Sequence, residues 1–370
     1  MTPRILFATD HIHFPQGGGG GERNTHELSV ILSEQGFSPA VMAAMWVNGS
    51  WLSWRNRLRR ILPPRVEFPC DMVCGYPVFR GWDFDRCDEV VRRFKPDVAV
   101  VQSTAPAPLM RTFARTGVPM ALYVHEVESL DYLRELGGFN FTLIANSDFT
   151  ARRIKDYVGL ESQVVLPLID ARYYKTRTSR NRVLFVNTVP RKGLDTAFAI
   201  AEHRPDIQFD FVLSWILKPE RIAELEARAS RSGNITLHPP TDDMRSLYAT
   251  AKLLLVPSQW EEAWGRVVTE AHLNGIPVLG SDRGGLPESI GTGGLILPPK
   301  APIEDWLAAL SRIWDDPDRY ESYVRAARAC SNRPEIQPAA IVTRLSAILE
   351  DVIASAKTKK PTLHLERSAP

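Results

Sequence analysis

Glu262 and Glu270 stand eight residues apart in the segment Glu262-Ala263-Trp264-Gly265-Arg266-Val267-Val268-Thr269-Glu270. A carboxylate can accept two hydrogen bonds at once, which suits the vicinal diol of a ribose or hexose ring. The preceding apolar run, Leu253-Leu254-Leu255-Val256-Pro257, reads as a buried strand. Helical spacing then resumes at Val267, Val268 and Ala271 until Asn274-Gly275 ends it. Glu262 therefore falls in a strand-to-helix loop and Glu270 in the second turn of the helix. Between them, around 265–268, lie the N–H groups of a helix start, which have no intrahelical acceptor and attract a diphosphate. A diol binder on each side of a phosphate site fits a nucleotide-sugar.

Such a constellation needs strands and helices in alternation to hold it, and the chain supplies them. Strand candidates in the first half are 4–8, 40–44, 98–101, 120–124 and 142–145; a second series runs 183–186, 209–213, 235–237, 253–256 and 277–280. Strands separated by helical text predict parallel sheets of the doubly wound kind. The first series closes near Pro167-Leu168-Ile169-Asp170, and a polar stretch, 172–182, leads into the second. The fold class is therefore α/β, with two Rossmann-like domains whose parallel sheets face a central cleft. The divisions are a first Rossmann-like domain at 1–168, a second at 172–335, a C-terminal helix at 336–356, and a polar, proline-containing tail at 357–370 expected to be disordered.

A second loop suited to a ligand follows the first strand. Asp10-His11-Ile12-His13-Phe14-Pro15-Gln16 runs into five glycines, 17–21, ahead of a helix carrying Leu28, Val30, Ile31 and Leu32. Bare backbone of this kind lets N–H groups approach a phosphate or sugar closely. It is not a dinucleotide fingerprint, because Glu22 stands where G-x-G-x-x-G begun at Gly17 needs glycine. It is not a Walker loop either, since no Gly-Lys-Ser or Gly-Lys-Thr follows.

The E-x7-E spacing resembles that of retaining glycosyltransferases of family 4, which have the GT-B fold and belong to glycosyltransferase group 1. The flanking text agrees: Pro257-Ser258, Asn274-Gly275-Ile276-Pro277-Val278 and Gly284-Gly285-Leu286-Pro287-Glu288. The resemblance spans roughly 4–350 and is strongest over 185–299. It implies a Gly-rich first loop facing donor phosphates and acceptor, here Gly18 and Gly19, and a final helix that crosses back onto the first domain. It implies a lysine before glycine that reaches the donor diphosphate, a position matched by Lys192 in Phe185-Val186-Asn187-Thr188-Val189-Pro190-Arg191-Lys192-Gly193. The family often has an arginine a few residues earlier, in a Gly-Arg pair; Asn187-Thr188 stands there instead, which leaves Arg191 as a candidate substitute. The resemblance also puts His125, at the C-terminal end of a strand, near the reacting sugar, and the Asn146-Ser147 turn against the cleft. By this reading Glu262 takes the donor sugar hydroxyls and Glu270 the ribose. The amides of Gly265, Arg266 and Val267, next to Trp264, take the diphosphate with Lys192. Lys192 would meet charge growing on the leaving diphosphate, and His125, Lys192 and Glu262 would form the catalytic set.

The implied activity is metal-independent transfer of a hexosyl-type group, with retention, from a nucleoside-diphosphate sugar to a hydroxyl acceptor such as a surface glycan, glycolipid or metabolite. No cofactor is implied beyond that co-substrate. Two alternatives are a GT-B nucleotide-sugar epimerase or hydrolase, which would need no acceptor, and a catalytically degenerate sugar- or nucleotide-binding protein.

Composition agrees with a large two-domain enzyme: 370 residues, 44% hydrophobic, 24% charged, net charge +2. That balance gives no bulk attraction for nucleic acid, and no arginine-aromatic recognition signature appears. No segment has about eighteen consecutive apolar residues, and the start is too short in apolar text for a signal peptide, so a cytoplasmic location is expected. Cys70, Cys74, Cys87 and Cys330 offer no disulfide framework or zinc spacing, and the eight histidines form no helix-borne ligand motif; no metal site is predicted. The stretch 51–62, Trp51-Leu52-Ser53-Trp54-Arg55-Asn56-Arg57-Leu58-Arg59-Arg60-Ile61-Leu62, sets two tryptophans and three aliphatics opposite four arginines. It reads either as an amphipathic helix packed by its aromatic face on the first domain or as an interfacial helix for the inner face of a membrane and a lipid-linked acceptor.

Overall fold

The computed structural model describes residues 2–47, 50–63, 65–214 and 217–358. Each half of the chain builds one sheet. The first holds β1 (Arg4–Ile12), β2 (Ser38–Ala44), β3 (Cys70–Asp71), β4 (Val78–Gly81), β5 (Val98–Val101), β6 (Met120–Val124), β7 (Thr142–Ala145) and β8 (Gln163–Val164), in the order β3-β4-β2-β1-β5-β6-β7-β8. The second holds β9 (Arg182–Val186), β10 (Gln208–Val212), β11 (Ile235–His238), β12 (Ala251–Val256), β13 (Val278–Ser281) and β14 (Gly294–Leu297), in the order β11-β10-β9-β12-β13-β14.

Among the described residues all pairings are parallel except β3 against β4 at one edge of the first sheet, so both sheets are of the parallel, doubly wound kind expected. The central strands read as unbroken apolar runs because helices cover both faces; β5 and β6 are buried throughout. Strands β3, β4, β8 and β14 were not expected from the sequence. Two of them, β3 and β8, have only two residues, too few for a periodic signal. Both sheets reverse their winding, at β1/β5 and at β9/β12, and in such sheets a ligand crevice opens outside the C-terminal strand ends at that point.

The last helix, Pro338–Thr358, belongs to the first core. Ile341, Val342, Leu345, Ile348, Leu349 and Val352 on it pack with Ile5, Phe7, Leu28 and Val98. Residues 357 and 358, assigned to the polar tail from sequence, are helical; the rest of that tail lies outside the described residues. Among the described residues no helix is long and apolar enough to cross a membrane.

Candidate functional site

The loops that leave the C-terminal ends of both sheets line one cleft of about 1110 Å³. It gathers His125, Lys192, Glu262, Gly18, Gly19, Arg191, Trp264, Gly265, Arg266 and Val267 from both halves of the chain. Asn146 also lines it, while Ser147 is buried at the start of the helix Asp148–Val158, its hydroxyl accepting from Thr150 N–H at 2.9 Å. Glu270 does not line the cleft; it lies buried under the first turn of the helix Arg266–Leu273.

On the donor side, a short 3₁₀ turn, Pro190–Lys192, brings Lys192 to the loop after β12. Gly193 permits the approach: its φ is +81°, and a Cβ there would stand 1.9 Å from the Pro257 carbonyl oxygen. Lys192 Nζ donates to Glu262 Oε1 at 2.5 Å, and the Ser258 hydroxyl donates to the same oxygen at 3.0 Å. Gly284 braces the loop from behind, where a side chain would meet the Glu262 carbonyl at 2.2 Å, and Gly285 N–H donates to that carbonyl at 2.6 Å. Arg191 stacks on Trp260 at 4.2 Å, and among the described residues its guanidinium has no carboxylate partner. Asn187, where the family's Gly-Arg pair begins, keeps a left-handed backbone with φ +77°, a conformation asparagine tolerates better than most residues. Gly265 caps the helix Arg266–Leu273, and among the described residues no acceptor takes the N–H of Arg266 or Val267.

The Arg266 and Trp264 side chains are engaged in the protein interior. Arg266 Nη2 donates to Glu27 Oε1 at 2.7 Å and Nη1 to the Leu168 carbonyl at 2.6 Å, so its guanidinium ties the donor half to the helix Gly20–Glu34 of the first half. Glu27 is also reached by the Tyr174 hydroxyl at 2.5 Å and by Asp170 N–H at 2.7 Å. The Trp264 indole is buried and donates to Thr269 Oγ1 at 3.1 Å. What these two can present to a donor is therefore chiefly backbone. Glu270 accepts from the Tyr248 hydroxyl at 2.8 Å, and Arg266 Nε stands 3.7 Å from its other oxygen. Burial pushes its carboxyl above the usual range, and Arg266 opposes that.

On the opposite wall, His125 is buried against Tyr123, with ring centroids 4.1 Å apart. Burial lowers its pKa to about 4, so the imidazole is neutral at pH 7. Its Nε2, like the Gln102 amide nitrogen, is buried without a partner among the described residues. Unpaired polar atoms of this kind are rare inside proteins, and on a cleft wall they are capacity for a polar ligand. The glycine loop differs from expectation. Gly19 N–H donates to Glu22 Oε2 at 2.6 Å, and His11 Nδ1 lies 3.4 Å from the other oxygen. An amide already taken by a carboxylate is not free for a phosphate, so of the two glycines assigned to the donor the Gly19 N–H is engaged within the loop.

Three contacts cross the cleft's margins. Arg23 pairs with Asp242 at 2.8 Å and Arg153 with Glu261 at 3.3 Å. The Glu288 carboxylate accepts the N–H groups of Asp148 at 3.2 Å and Phe149 at 3.1 Å, capping the helix Asp148–Val158 of the other half. Substituting Glu288→Ala is expected to shift the open–closed equilibrium of the two halves by about 1–2 kcal/mol, roughly 5–30-fold. Small-angle scattering would register this as a larger radius of gyration; an unchanged profile would remove Glu288 as a clasp.

One cluster has no counterpart in the sequence reading. His13, His26 and Cys74 bring ligand-type atoms within 4.8 Å of one another, although the sequence scatters them. The Tyr76 hydroxyl lies between the two imidazoles, 2.9 Å from His13 Nε2 and 2.7 Å from His26 Nδ1. Burial lowers the two histidines to about 3 and about 4, which gives a neutral hydrogen-bonded cluster at pH 7. All four cysteines are free thiols.

Residues 172–329 match the family model for glycosyl transferases group 1. A D-inositol 3-phosphate glycosyltransferase of Xylanimonas cellulosilytica is 30% identical over 231 residues, covering 60% of this chain and 50% of that protein. The enzyme of the same name from Corynebacterium kroppenstedtii is 34% identical over 116 residues, 31% of this chain and 25% of that protein. The chain thus spans half or less of the length of these curated relatives. Among solved structures, a glycosyltransferase from Rickettsia africae superposes with a TM-score of 0.73 at 15% identity, covering 95% of this chain and 99% of that one. Anabaena Alr3699/HepE in complex with UDP-glucose gives 0.73 at 18% identity, covering 94% and 100%. At such identities the likeness shows the fold, which is GT-B.

Proposed function

We propose, for a chain whose residues 172–329 belong to the group 1 glycosyl transferases, that it transfers a hexosyl-type group from a nucleoside-diphosphate sugar to a hydroxyl acceptor with retention and without a metal. The observation that carries this reading is the Lys192–Glu262 pair, 2.5 Å apart, beside the unbonded amides of Arg266 and Val267 in one cleft. The diphosphate takes those amides and Lys192. The sugar hydroxyls take Glu262, which has lone pairs left after Lys192 and Ser258. The ribose is assigned to Glu270, which stands just behind the cleft lining and keeps its Oε1, 3.7 Å from Arg266, for a ribose hydroxyl. Neutral His125 and Gln102 hydrogen-bond the sugar or acceptor hydroxyls on the facing wall.

In the reaction the bond from the anomeric carbon to the diphosphate oxygen breaks as the acceptor oxygen bonds to that carbon from the same face. The acceptor's proton passes to the departing diphosphate. Lys192 acts where negative charge grows, an interaction stronger in the transition state than in the bound donor. We place the reaction in the cytoplasm, in synthesis of a polysaccharide or glycolipid, with the acceptor lipid-linked and the protein peripheral at the membrane's inner face through residues 51–62.

The test is a thermal-shift titration with UDP, GDP, ADP and TDP, without added metal, beside Glu270→Gln. A nucleotide that binds only the folded state at a hundred times its Kd stabilises by about 2.7 kcal/mol. One nucleotide should raise the melting temperature of the wild type and fail to do so in the variant. Shifts of equal size in both proteins would remove Glu270 from the donor site. Product formed from the donor alone, with no acceptor present, would turn the reading to hydrolysis or epimerisation.

A further inference from the structure

Among the described residues, ten of the twelve exposed large hydrophobic side chains fall between positions 46 and 82. The helix Trp51–Ile61 is their centre, and it sits on the protein by the face that carries Leu52, Ser53 and Asn56. Leu52, Ser53 and Asn56 are buried, whereas Trp51 is 70% and Trp54 58% exposed, and Leu58, Ile61 and Leu62 are exposed with them. The aromatic face thus points to solvent, which overturns the packed-face alternative drawn from sequence. The seat is polar: Gln16 Nε2 donates to Ser53 Oγ at 2.9 Å and to the Trp46 carbonyl at 2.7 Å. Gln16 and Trp46 also line the cleft, so the helix stands at its acceptor-side mouth.

Charge identifies what covers this face. Arg55, Arg57, Arg59, Arg60 and Arg65 belong to the same segment, with Arg60 paired to Glu67 at 2.9 Å, and no acid occurs from 50 to 66. Beside the helix is a pocket of about 420 Å³, lined by Arg55, Arg59 and Arg93 together with Leu58, Leu62 and Val66, and by no acidic residue. Arg59 donates only to the Cys70 carbonyl at 2.8 Å and has no carboxylate partner among the described residues. Arg55 Nε is buried without a partner, and its guanidinium reaches Asp71, already bonded to Arg80, only at 4.0 Å. Exposed apolar groups, tryptophans among them, beside guanidinia, that of Arg59 with no carboxylate partner among the described residues, match the boundary of an anionic bilayer, where acyl chains meet phosphates.

We propose that this surface docks the protein on an anionic phospholipid bilayer. The helix Trp51–Ile61 lies in the interface with Trp51, Trp54, Leu58 and Ile61 among the acyl chains, and the adjoining pocket takes one lipid phosphodiester against Arg55 and Arg59. The inference deepens, and rests on, the reading of a membrane-peripheral enzyme with a lipid-linked acceptor. It explains why the acceptor-side mouth of the cleft abuts the helix.

Co-sedimentation of the full chain with vesicles of phosphatidylcholine alone, and of phosphatidylcholine mixed with phosphatidylglycerol, at low and high salt, tests it. The wild type should partition to the mixed vesicles and lose much of that binding at high salt. Arg55→Gln with Arg59→Gln should lose roughly thirtyfold in partitioning to mixed vesicles. Trp51→Ser with Trp54→Ser should lose binding to the mixed vesicles at both salt concentrations. All three proteins should keep one melting temperature and one nucleotide-induced shift, since none of these side chains lies in the donor site. No partitioning of the wild type, or pelleting without vesicles through self-association, would overturn the docking. Partitioning that the arginine variant retains in full would overturn the phosphate pocket. Loss of the nucleotide shift in the wild type itself would instead count against the glycosyltransferase reading.

Discussion

Replacing Lys192 by methionine is expected to lower kcat by roughly 10²–10³-fold, the effect of removing one preorganised donor from a developing oxyanion. KM for the nucleotide-sugar should change by only a few fold, because the helix-start amides and the two glutamates continue to hold the donor in its ground state. The ammonium is placed for this by parts that have nothing else to do with it: the 3₁₀ turn Pro190–Lys192, the side-chain-free approach of Gly193 to Pro257, and the Glu262 carboxylate at 2.5 Å. Folding should be little affected. The Lys192–Glu262 pair is partly open to solvent, where such pairs contribute about 0–1 kcal/mol, and Ser258 still serves Glu262 after the change. A turnover number near that of the wild type, in a variant with an unchanged melting temperature, would take Lys192 out of the chemistry. A raised KM with kcat preserved would make it a ground-state anchor instead.

The parts of the site that could be read from sequence are those carried by short segments. Glu262, Gly265 and Glu270 share one loop and helix, Lys192-Gly193 one turn, and Gly284-Gly285 one brace, so they stand together as short motifs whose combination resembles the family's. The central strands were equally legible, because a strand buried on both faces is written as a run of apolar residues. Legibility ends where a group's role depends on a distant partner. Nothing local in Glu27 foretells that Arg266, 239 positions away, will meet it at 2.7 Å. Nothing in Gly19 foretells that Glu22 takes its amide, and nothing at 13, 26 and 74 foretells a cluster around Tyr76. Periodicity in 51–62 showed two faces but not which would be turned outward. That choice was made by Ser53 finding a polar seat against Gln16 and the Trp46 carbonyl, a tertiary matter.

The Arg266 network gives the second large effect. Arg266→Met should destabilise the protein by about 3–5 kcal/mol, read by urea denaturation, because breaking a buried pair from one side leaves the other charge uncompensated. Here the stranded group is Glu27, whose side chain is wholly buried among Tyr174, Asp170 N–H and the Leu168 turn. If that is the origin of the loss, the partner substitution relieves it: Glu27→Gln added to Arg266→Met should recover a large part of the stability, since a neutral amide can stay with Tyr174 and Asp170 N–H without a counter-charge. Strict additivity of the two changes would refute the pairing and point to lost packing. The same network fixes the first turn of the helix Arg266–Leu273, whose free amides are assigned to the diphosphate, and it stands 3.7 Å from Glu270. Glu27→Gln alone, in a residue that belongs to the other half of the molecule and does not line the cleft, should therefore weaken nucleotide binding as well as stability. Loss of stability with nucleotide affinity intact would mean that the helix start is set by its own half, through Gly265 and the brace at Gly284, and that Arg266 serves only to join the two.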